Sequence, residues 1–449
     1  MDTKILLETL VVQNKVLLVR IASLEAELAV YKNKKNSGNS HKPPSTDIAA
    51  PKRNQSLREQ TGKKPGGQPG HPGSTLSMVA NPDMIVVHAP CTCGKCSKGL
   101  SGIALDLIER RQVADIPPPQ QVVYTEHQIY AKTCSCGHVT KSVFPADVNA
   151  PVQYGPNTVA MIAYLHARQY VPFERMAELF EVAMGLPISQ GSIANIILRF
   201  ADKATPAYEQ IKKSIACAGY AGADETGVKV NGQKNWFWTW QNDQATYIVH
   251  SANRGYATIE ANFPEGFPDT VLVHDRWAAQ LKSTAADHQI CLAHLLRDLN
   301  FIEELHESPW AKDFKYIIKE AMALNHNRQA DNNLFIAARD ALDSKIDLLL
   351  EQPLPREHHK AITLQKQLSK IKSYILAFLR YLNVPAHNNA SERAIRNVKV
   401  KQKISGQFKS ELNAQAFAKI RSVIDTAIKS GKEIFDELTA IANLHPASA

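Results

Sequence analysis

Three acidic residues of the 449-residue chain lie in segments whose patterns could bring their carboxylates to a shared cation. They are Asp224, Asp275 and Glu392. Asp224 belongs to the strand-like segment ADETGVKV, where residues two apart share a face. It therefore lies on the apolar face with Val228, whereas Glu225 points to the other face. A carboxylate on a covered face needs a partner, because burying an unpaired charge is costly.

Asp275 ends the segment TVLVHD, whose apolar run Val271–Val273 predicts a central strand buried on both faces. Open α/β sheets carry their ligand sites at the carboxyl ends of strands. If this strand neighbours the strand of Asp224, both acids can reach one metal ion. The alternative is that each acid caps a loop or pairs with an arginine such as Arg276.

The third acid, Glu392, lies far downstream in the segment PAHNNASERAIRNVKVKQK. A helix beginning near Asn389 would place Glu392, Arg396, Lys399 and Lys403 on one face, at helical spacing. This pattern suits a glutamate on a metal ion and cations along a phosphate backbone. Asn389 followed three residues later by Glu392 also fits a capping box, which would make the acid structural.

Two tight groups of cysteines predict a second kind of metal site. Four thiolates in a tetrahedron around Zn²⁺ stabilise modules too small to fold by their own core. The expected zinc ligands are Cys93, Cys96, Cys134 and Cys136. Cys91 and His138 are rival ligands, and unliganded thiols are the other interpretation.

The elements that must position the three acids follow from a change of period after Gly219. The segments ADETGVKV, NWFWTWQ and ATYIVHS, separated by turn residues, predict two hairpins and hence three antiparallel strands. A helix around Tyr256–Phe263 and the buried strand before Asp275 come next. Along the chain the order is therefore a three-stranded meander, a crossover helix and a buried parallel strand. This is the order of elements in ribonuclease-H-like folds.

The N-terminal 31 residues carry a heptad pattern with Leu or Ile at most a and d positions and Asn14 at one a position, which predicts a parallel two-stranded coiled coil. An amphipathic helix folding back on its own protein is the alternative. The next stretch, Lys32 to Ser77, is rich in Lys, Pro, Gly and Ser and cannot build a core. It is either a flexible tether or a basic arm that lies along a minor groove.

The segment 173–200 predicts a helix, a turn at Gly185–Pro187 and a second helix from near Ser189. This is either a helix-turn-helix that enters a major groove or a plain helical hairpin. The formal net charge of +9 favours a polyanionic partner. No apolar run could cross a bilayer and no export signal is visible at the N-terminus, so we expect a soluble, cytoplasmic protein without a membrane partner.

Eight motifs in one order, covering nearly the whole chain, resemble the insertion-sequence-66 family of bacterial transposases. They are KKNSGNSHKPPSTD, KPGGQPGHPG, the cysteine knuckles, APVQYGP, ADETG, HDRWAA, HQICLAH and NNASERAIR. The resemblance implies a nucleoid-associated bacterial DDE transposase whose acids are Asp224, Asp275 and Glu392. His387 departs from the pattern, since the family usually has Asp before the paired asparagines. Cys291 and His294 resemble the C-x-x-H found after the second acid of related transposases, although a buried thiol and a packed imidazole are equally compatible with the sequence.

The implied fold class is an α/β multidomain protein: a ribonuclease-H-like catalytic core with a helical insertion, preceded by a coiled coil, a zinc-ribbon-like module and a helical DNA-binding region. The predicted boundaries are 1–33 for the coiled coil, 34–78 for the basic linker, 79–148 for the zinc module, 149–215 for the helical region, 216–294 for the first part of the core, 295–384 for the insertion and 385–449 for the catalytic and closing helices.

The predicted reaction is phosphodiester cleavage at the element ends followed by attack of the freed 3′-hydroxyl on target DNA, with the acids on two Mg²⁺ (or Mn²⁺) ions. Asn388, Arg396, Lys399 and Lys403 are the candidate DNA contacts. The expected partners are terminal inverted repeats, target DNA, a second copy of the chain or a larger assembly, and small accessory proteins of the element. The rivals are a catalytically decayed, zinc-containing DNA-binding protein, a structural ribonuclease-H-like scaffold and a nuclease that does not join strands.

Overall fold

The computed structural model describes residues 3–32, 78–114, 122–326, 328 and 333–444. The chain divides into two units, Ser56–Val122 and the remainder, Met1–Gln55 with Val123–Ala449. Cys93 and Cys96 belong to the first unit, and Cys134 and Cys136 to the second. The predicted linker is outside the described residues.

The described part of the unit Ser56–Val122 contains no helix and no strand beyond a single bridge. Its tightest feature is a turn in which the Ser97 N–H donates to the Cys93 carbonyl (2.9 Å) and the Cys93 N–H donates to the Lys98 carbonyl (2.8 Å). A single bridge pairs Thr92 with Gly99 across this turn.

The larger unit contains seven strands and a series of helices in its described ranges. The strands are β1 (Ala131–Thr133), β2 (Val139–Lys141), β3 (Tyr220–Val230), β4 (Gln233–Gln241), β5 (Thr246–Ser251), β6 (Phe267–His274) and β7 (Ala285–Ile290). The helices are α1 (Thr3–Lys32), α2 (Pro156–Ala167), α3 (Phe173–Met184), α4 (Gln190–Lys203), α5 (Thr205–Ala216), α6 (Tyr256–Asn262), α7 (Ala278–Leu281), α8 (Leu292–His306), α9 (Pro309–His326), α10 (Asn333–Glu351), α11 (His359–Lys370), α12 (Asn389–Ser405), α13 (Glu411–Lys429) and α14 (Ile434–Asn443).

A mixed five-stranded sheet in the order β5-β4-β3-β6-β7 forms the centre of this unit. β3, β4 and β5 are antiparallel neighbours, and β6 and β7 run parallel to β3. The two predicted hairpins and the helix after them are thus present, and the strand of Asp275 neighbours that of Asp224 as required. β7 was not predicted.

The run Val271–Val273 is buried on both faces of β6, as expected from its continuous apolar pattern. Val271 and Val273 pack in one hydrophobic cluster with residues of α8 to α11, whereas Leu272 packs in the other with residues of α2, α4, α5 and α13. The helical stretch predicted between the second and third acids corresponds to α8 to α11 and two short 3₁₀ turns. A chain segment of more than 100 residues therefore separates Asp275 from α12.

The N-terminal helix α1 exposes large apolar side chains along the part of its surface that is described. Leu17, Ile21, Leu24 and Leu28 are each close to half exposed or more. The helix itself was predicted from the heptad pattern. No helix in the described ranges is both long enough and apolar enough to cross a membrane.

Between the two cysteine groups, the sequence Gln120–Tyr130 has a β-like pattern that predicts a strand, but its described part, residues 122–130, forms none. The strands β1 and β2 instead begin at Ala131 and pair around the second cysteine group. Alternation of apolar residues was a poor guide here, because Val123, Tyr124 and Tyr130 are exposed and have no core to face.

Candidate active site

Asp224 and Asp275 stand at matching positions on the neighbouring strands β3 and β6. Gly222 is paired with Val273, and each acid lies two residues further along in the same direction. Glu392 lies in the first turn of α12, which packs on β3 and β4. Burial raises the pKa of the Asp224 carboxyl well above its ordinary value, and the negative charges of Glu225, Asp275 and Glu392 raise it further. The three predicted acids are therefore within electrostatic reach of one another.

Neither aspartate is neutralised by a basic side chain in the part of the chain that the structure describes. Asp224 Oδ1 accepts a hydrogen bond from the Glu225 N–H (2.9 Å), and Asp275 Oδ1 accepts one from the Trp277 N–H (3.0 Å). Arg276, the basic partner considered for Asp275, forms its ion pair with Asp298. Asp275 thus caps its own loop and has no basic partner within the described ranges.

The capping-box interpretation of Glu392 does not hold, because the helix has Asn388 as its N-cap and shows no side-chain cap hydrogen bond. Asn388 Nδ2 instead donates to the Ala223 carbonyl at 2.6 Å, and Gln241 Nε2 on β4 donates to Ser391 Oγ at 3.2 Å. These two bonds fasten the start of α12 to the sheet immediately beside Asp224.

Gly222 permits this close approach of α12 to β3. A Cβ at this position would lie 2.7 Å from Asn388 Oδ1, 3.0 Å from Gln241 Nε2 and closer still to Ser391 Oγ. Contacts this short are sterically forbidden, so a side chain at Gly222 must displace the side chains that join α12 to the sheet, or the helix start itself. Nothing in the local sequence pattern identifies this glycine as part of the site.

A directional hydrogen-bond chain supports the loop of Asp275. The Arg276 N–H donates to His274 Nδ1 (3.2 Å), so His274 carries its proton on Nε2 and donates to His288 Nδ1 (3.0 Å). His288 Nε2 then donates to the Ser283 carbonyl (3.2 Å). Burial lowers the pKa of His274 to about 3, with smaller contributions from His288 and Arg276. Burial also lowers the pKa of His288. Both rings are therefore neutral, and each accepts one hydrogen bond and donates another.

Glu225 is a fourth carboxylate beside the predicted three, and its role was missed from sequence. Only 2% of its side chain is exposed, and its Oε1 accepts from Arg254 Nε (3.1 Å) and NH2 (2.9 Å). Burial raises the pKa of Glu225 to about 7, Asp275 adds to that rise and Arg254 opposes it. The Arg254 guanidinium lies 3.9 Å from the ring centre of Trp277 and 4.8 Å from that of Trp236, which holds it in place.

Cys291, His294 and Glu392 bring one sulfur, one nitrogen and one oxygen within 4.8 Å of one another. His294 Nε2 lies 3.4 Å from Glu392 Oε1. Cys291 is fully buried, and its Sγ accepts a hydrogen bond from the Asn388 N–H at 3.1 Å. Burial raises the pKa of the Cys291 thiol to about 11. Cys291 is thus a buried thiol, as one interpretation of the sequence has it, and both residues lie beside the third acid.

The four candidate DNA contacts have different surroundings. Arg396 and Lys403 are exposed on α12. Lys399 is partly buried, donates to the Gly227 carbonyl of β3 and has its pKa lowered by burial. Asn388 is buried, and its side chain fastens the start of α12 to β3 through the Ala223 carbonyl. DNA contact therefore stays a prediction for all four, with only Arg396 and Lys403 openly available.

Each cysteine pair forms a turn in which main-chain amides face sulfur. The N–H of Lys95, and then that of Cys96, lower the pKa of Cys93. The Cys136 N–H is the main cause of the lowered pKa of Cys134. Amide donors aimed at sulfur favour the thiolate, the form that binds metals.

The predicted helix, turn and helix are present as α3, a left-handed Gly185 and α4, whose N-cap Ser189 accepts from the Ser192 N–H. One face of α4 is buried in the core, with Ile193, Ile196 and Ile197 among its residues. Asn195 and Arg199 are on its exposed face. This geometry fits a packed hairpin and leaves a narrow polar face for a partner.

The described residues thus define a mixed α/β protein with a carboxylate cluster where β6 ends beside the middle of β3. Residues 151–416 match the family model described as "Transposase IS66 family", and residues 2–77 match a "Family of unknown function (DUF6444)". The first match spans more than half of the chain, so the chain belongs to the IS66 family of transposases. No curated protein gives a significant sequence match. Family membership supports a transposase that binds DNA.

Proposed function

We propose that this chain cleaves DNA strands at the ends of its element and transfers the freed 3′-hydroxyl ends into target DNA, using Asp224, Asp275 and Glu392 as ligands for two divalent cations. The observation that carries the proposal is the placement of the acids: Asp224 and Asp275 occupy matching positions along β3 and β6, and Glu392 lies in the first turn of α12, which packs on β3. The strand order β5-β4-β3-β6-β7, with β6 parallel to β3, supports a ribonuclease-H-like core.

The residues fit a pair of hard cations. Carboxylate oxygens are the ligands that Mg²⁺ and Mn²⁺ prefer, and the two aspartates lack basic partners within the described ranges. Mutual repulsion makes an empty cluster unfavourable, which a cation would relieve. Two bound cations supply activation of the attacking oxygen and stabilisation of the leaving oxygen in an in-line displacement.

The chain's own residues orient these ligands. Asp224, Asp275 and Glu392 would hold the two cations, with Asp224 as the ligand common to both and Asp275 and Glu392 contributing to one each. The hydrogen bonds of Asn388 and Gln241 fix the helix of Glu392, and the hydrogen-bond chain through His274 fixes the loop of Asp275. In the first step water attacks the phosphodiester at the element end, and in the second the new 3′-hydroxyl attacks the target strand; each step forms one P–O bond and breaks one.

Contact with the DNA strands is assigned to the cations of α12. Exposed Arg396 and Lys403 suit phosphate oxygens, whereas Asn388 and Lys399 could reach the scissile phosphate only by giving up their hydrogen bonds to β3. The excess positive charge of the chain supports the same partner.

A zinc ion held by Cys93, Cys96, Cys134 and Cys136 is proposed for the module 79–148, with Cys91 and His138 as rival ligands. The amide-to-sulfur geometry of both turns supports thiolate ligands. The exposed apolar side chains of α1 support pairing with a second copy in a parallel coiled coil.

The experiment compares the chain with Asp224→Asn and with a matched control, Asp269→Asn, an exposed aspartate of β6. Labelled element ends, a plasmid target and Mg²⁺ separate binding, cleavage and joining. We expect Asp224→Asn to retain binding of the ends and to lose cleavage and joining by more than about 1,000-fold (~4 kcal/mol), and Asp269→Asn to behave like the parent. Unchanged strand transfer by Asp224→Asn would contradict the assignment. Binding without cleavage by the parent chain would favour a decayed transposase, and cleavage without joining would favour a plain nuclease.

A further inference from the structure

We propose that Cys291, His294 and Glu392 form a distinct site for a borderline-soft divalent cation such as Zn²⁺, which shares Glu392 with the cluster of acids. A thiol, an imidazole and a carboxylate from the start of α8 and the start of α12 converge there. No other group of three potential ligands was found within the described residues.

The ligand geometry fits a tetrahedral ion. Two ligands at about 2.0–2.1 Å from a tetrahedral Zn²⁺ lie roughly 3.3–3.4 Å apart. His294 Nε2 and Glu392 Oε1 are 3.4 Å apart. Glu392 Oε1 is also buried and makes no hydrogen bond in the described part of the chain, so an acceptor oxygen is left for a cation.

Surrounding hydrogen bonds hold the ligands in place. The Asn388 N–H donates to Cys291 Sγ, and the Cys291 N–H donates to the His274 carbonyl at 2.7 Å. The Leu292 N–H donates to the Ala386 carbonyl at 3.0 Å, which ties the first turn of α8 to the segment before α12. An amide donor on sulfur is the kind of outer contact that orients and stabilises a metal-bound thiolate.

The donor set distinguishes this site from the cluster of aspartates. Thiolate and imidazole select Zn²⁺ and similar ions, whereas carboxylates alone select Mg²⁺ and Mn²⁺. Three protein ligands leave one coordination position, and the partial exposure of Glu392 gives an entry path from the side of the acids. If the proposed function is correct, Zn²⁺ in this site withdraws Glu392 from the catalytic pair and inhibits cleavage.

Binding is tested on the purified full-length chain without DNA or Mg²⁺, so that its outcome does not depend on the proposed function. Co²⁺ serves as the probe, because thiolate ligation gives a charge-transfer absorption. We expect Cys291→Ser to lose one equivalent of Co²⁺, or to weaken that equivalent by more than about 100-fold, since even outer-shell changes cost about 10- to 100-fold. Cys217→Ser, at an exposed cysteine, is the matched control and should keep every equivalent.

A second variant guards against loss of folding in Cys291→Ser. His294→Gln leaves the buried thiol untouched and should weaken the same equivalent while the thermal unfolding midpoint stays near that of the parent. Equal stoichiometry and affinity in the parent, Cys291→Ser and His294→Gln would overturn the site.

Inhibition is then measured as the Mg²⁺-dependent cleavage rate with Zn²⁺ relative to the same protein's rate without it. The parent should be at least about 10-fold more sensitive to Zn²⁺ than Cys291→Ser. Equal sensitivity after a positive Co²⁺ result would overturn the sharing of Glu392, while absence of cleavage by the parent would count against the proposed function alone.

Discussion

Gly222→Ala is expected to damage the candidate active site through a single methyl group. The added Cβ would meet Asn388 Oδ1 at 2.7 Å and Ser391 Oγ at a shorter distance, whereas ordinary contacts begin at 3.4 Å. Either the side chains of Ser391 and Asn388 turn away, which disturbs the hydrogen bonds that fasten α12 to the sheet, or the start of α12 moves by roughly 0.7–1 Å; Glu392 is the next residue along. A displacement of about 1 Å can cost on the order of 100-fold in rate.

The same substitution should leave the protein folded. Overpacking a close contact lowers the free energy of unfolding by about 1–3 kcal/mol. A chain of this size should stay folded after such a loss, whereas the cleavage rate depends on the position of Glu392. The assay is single-turnover cleavage of labelled element ends over a range of Mg²⁺ concentrations, with urea unfolding of the same samples. We expect a rate about 100-fold lower and a higher Mg²⁺ concentration for half-maximal rate.

The same strand provides a matched control. A Cβ at Gly227 would contact only the ring of Trp236, at 3.5 Å, so Gly227→Ala should keep its rate within a few-fold of the parent. Adding Ser391→Ala to Gly222→Ala removes the worst contact and should recover part of the lost rate. If Gly222→Ala and Gly227→Ala lose rate equally, or if the double variant recovers nothing, the argument from close approach is refuted.

Three further outcomes are expected. Burial lowers the pKa of Lys401 to about 8. The free energy of unfolding of the parent should therefore rise between pH 8 and 10.5, where only the unfolded chain keeps the proton. In urea unfolding, Lys401→Met should lack this rise and be more stable at pH 7 by up to about 3 kcal/mol. His288→Leu leaves the His274 Nε2–H buried without an acceptor and should cost about 1–3 kcal/mol of stability, whereas His288→Asn, which offers an oxygen, should cost less in the same assay. Cys134→Ser should lose one equivalent of tightly bound zinc in elemental analysis, and a zinc content equal to that of the parent would contradict the proposed module.

Periodicity predicted the elements that carry the acids well. The continuous run Val271–Val273 identified β6, and the positions of Glu392 and Val398 identified the faces of α12. Both patterns are local in sequence, because each reflects whether a side chain is buried in the core or exposed. The pairing of β3 with β6 followed once the order of strands was assumed.

β7 could not be found by the same means, because two of its three buried residues are polar. His288 and Gln289 are buried in this strand, and Gln289 donates to the Ile375 carbonyl while accepting from the Phe378 N–H. These partners lie nearly 90 residues away in sequence. A strand that is stabilised by distant hydrogen bonds has no apolar alternation to read.

The contrast between Asp224 and Glu225 depends on tertiary structure in the same way. Alternation along β3 predicts opposite faces for the two neighbours, but it does not predict that Arg254 neutralises Glu225 while no basic side chain in the described ranges pairs with Asp224. Within the described ranges, Arg254 is the one guanidinium that pairs with any of the four neighbouring carboxylates, and it pairs with Glu225. Because an arginine fixed between two tryptophans cannot also serve Asp224, this buried carboxylate either takes up a proton, in line with its raised pKa, or binds a cation. This lack of a basic partner, more than the presence of acids, is the physical reason for expecting cations where β6 ends beside Asp224.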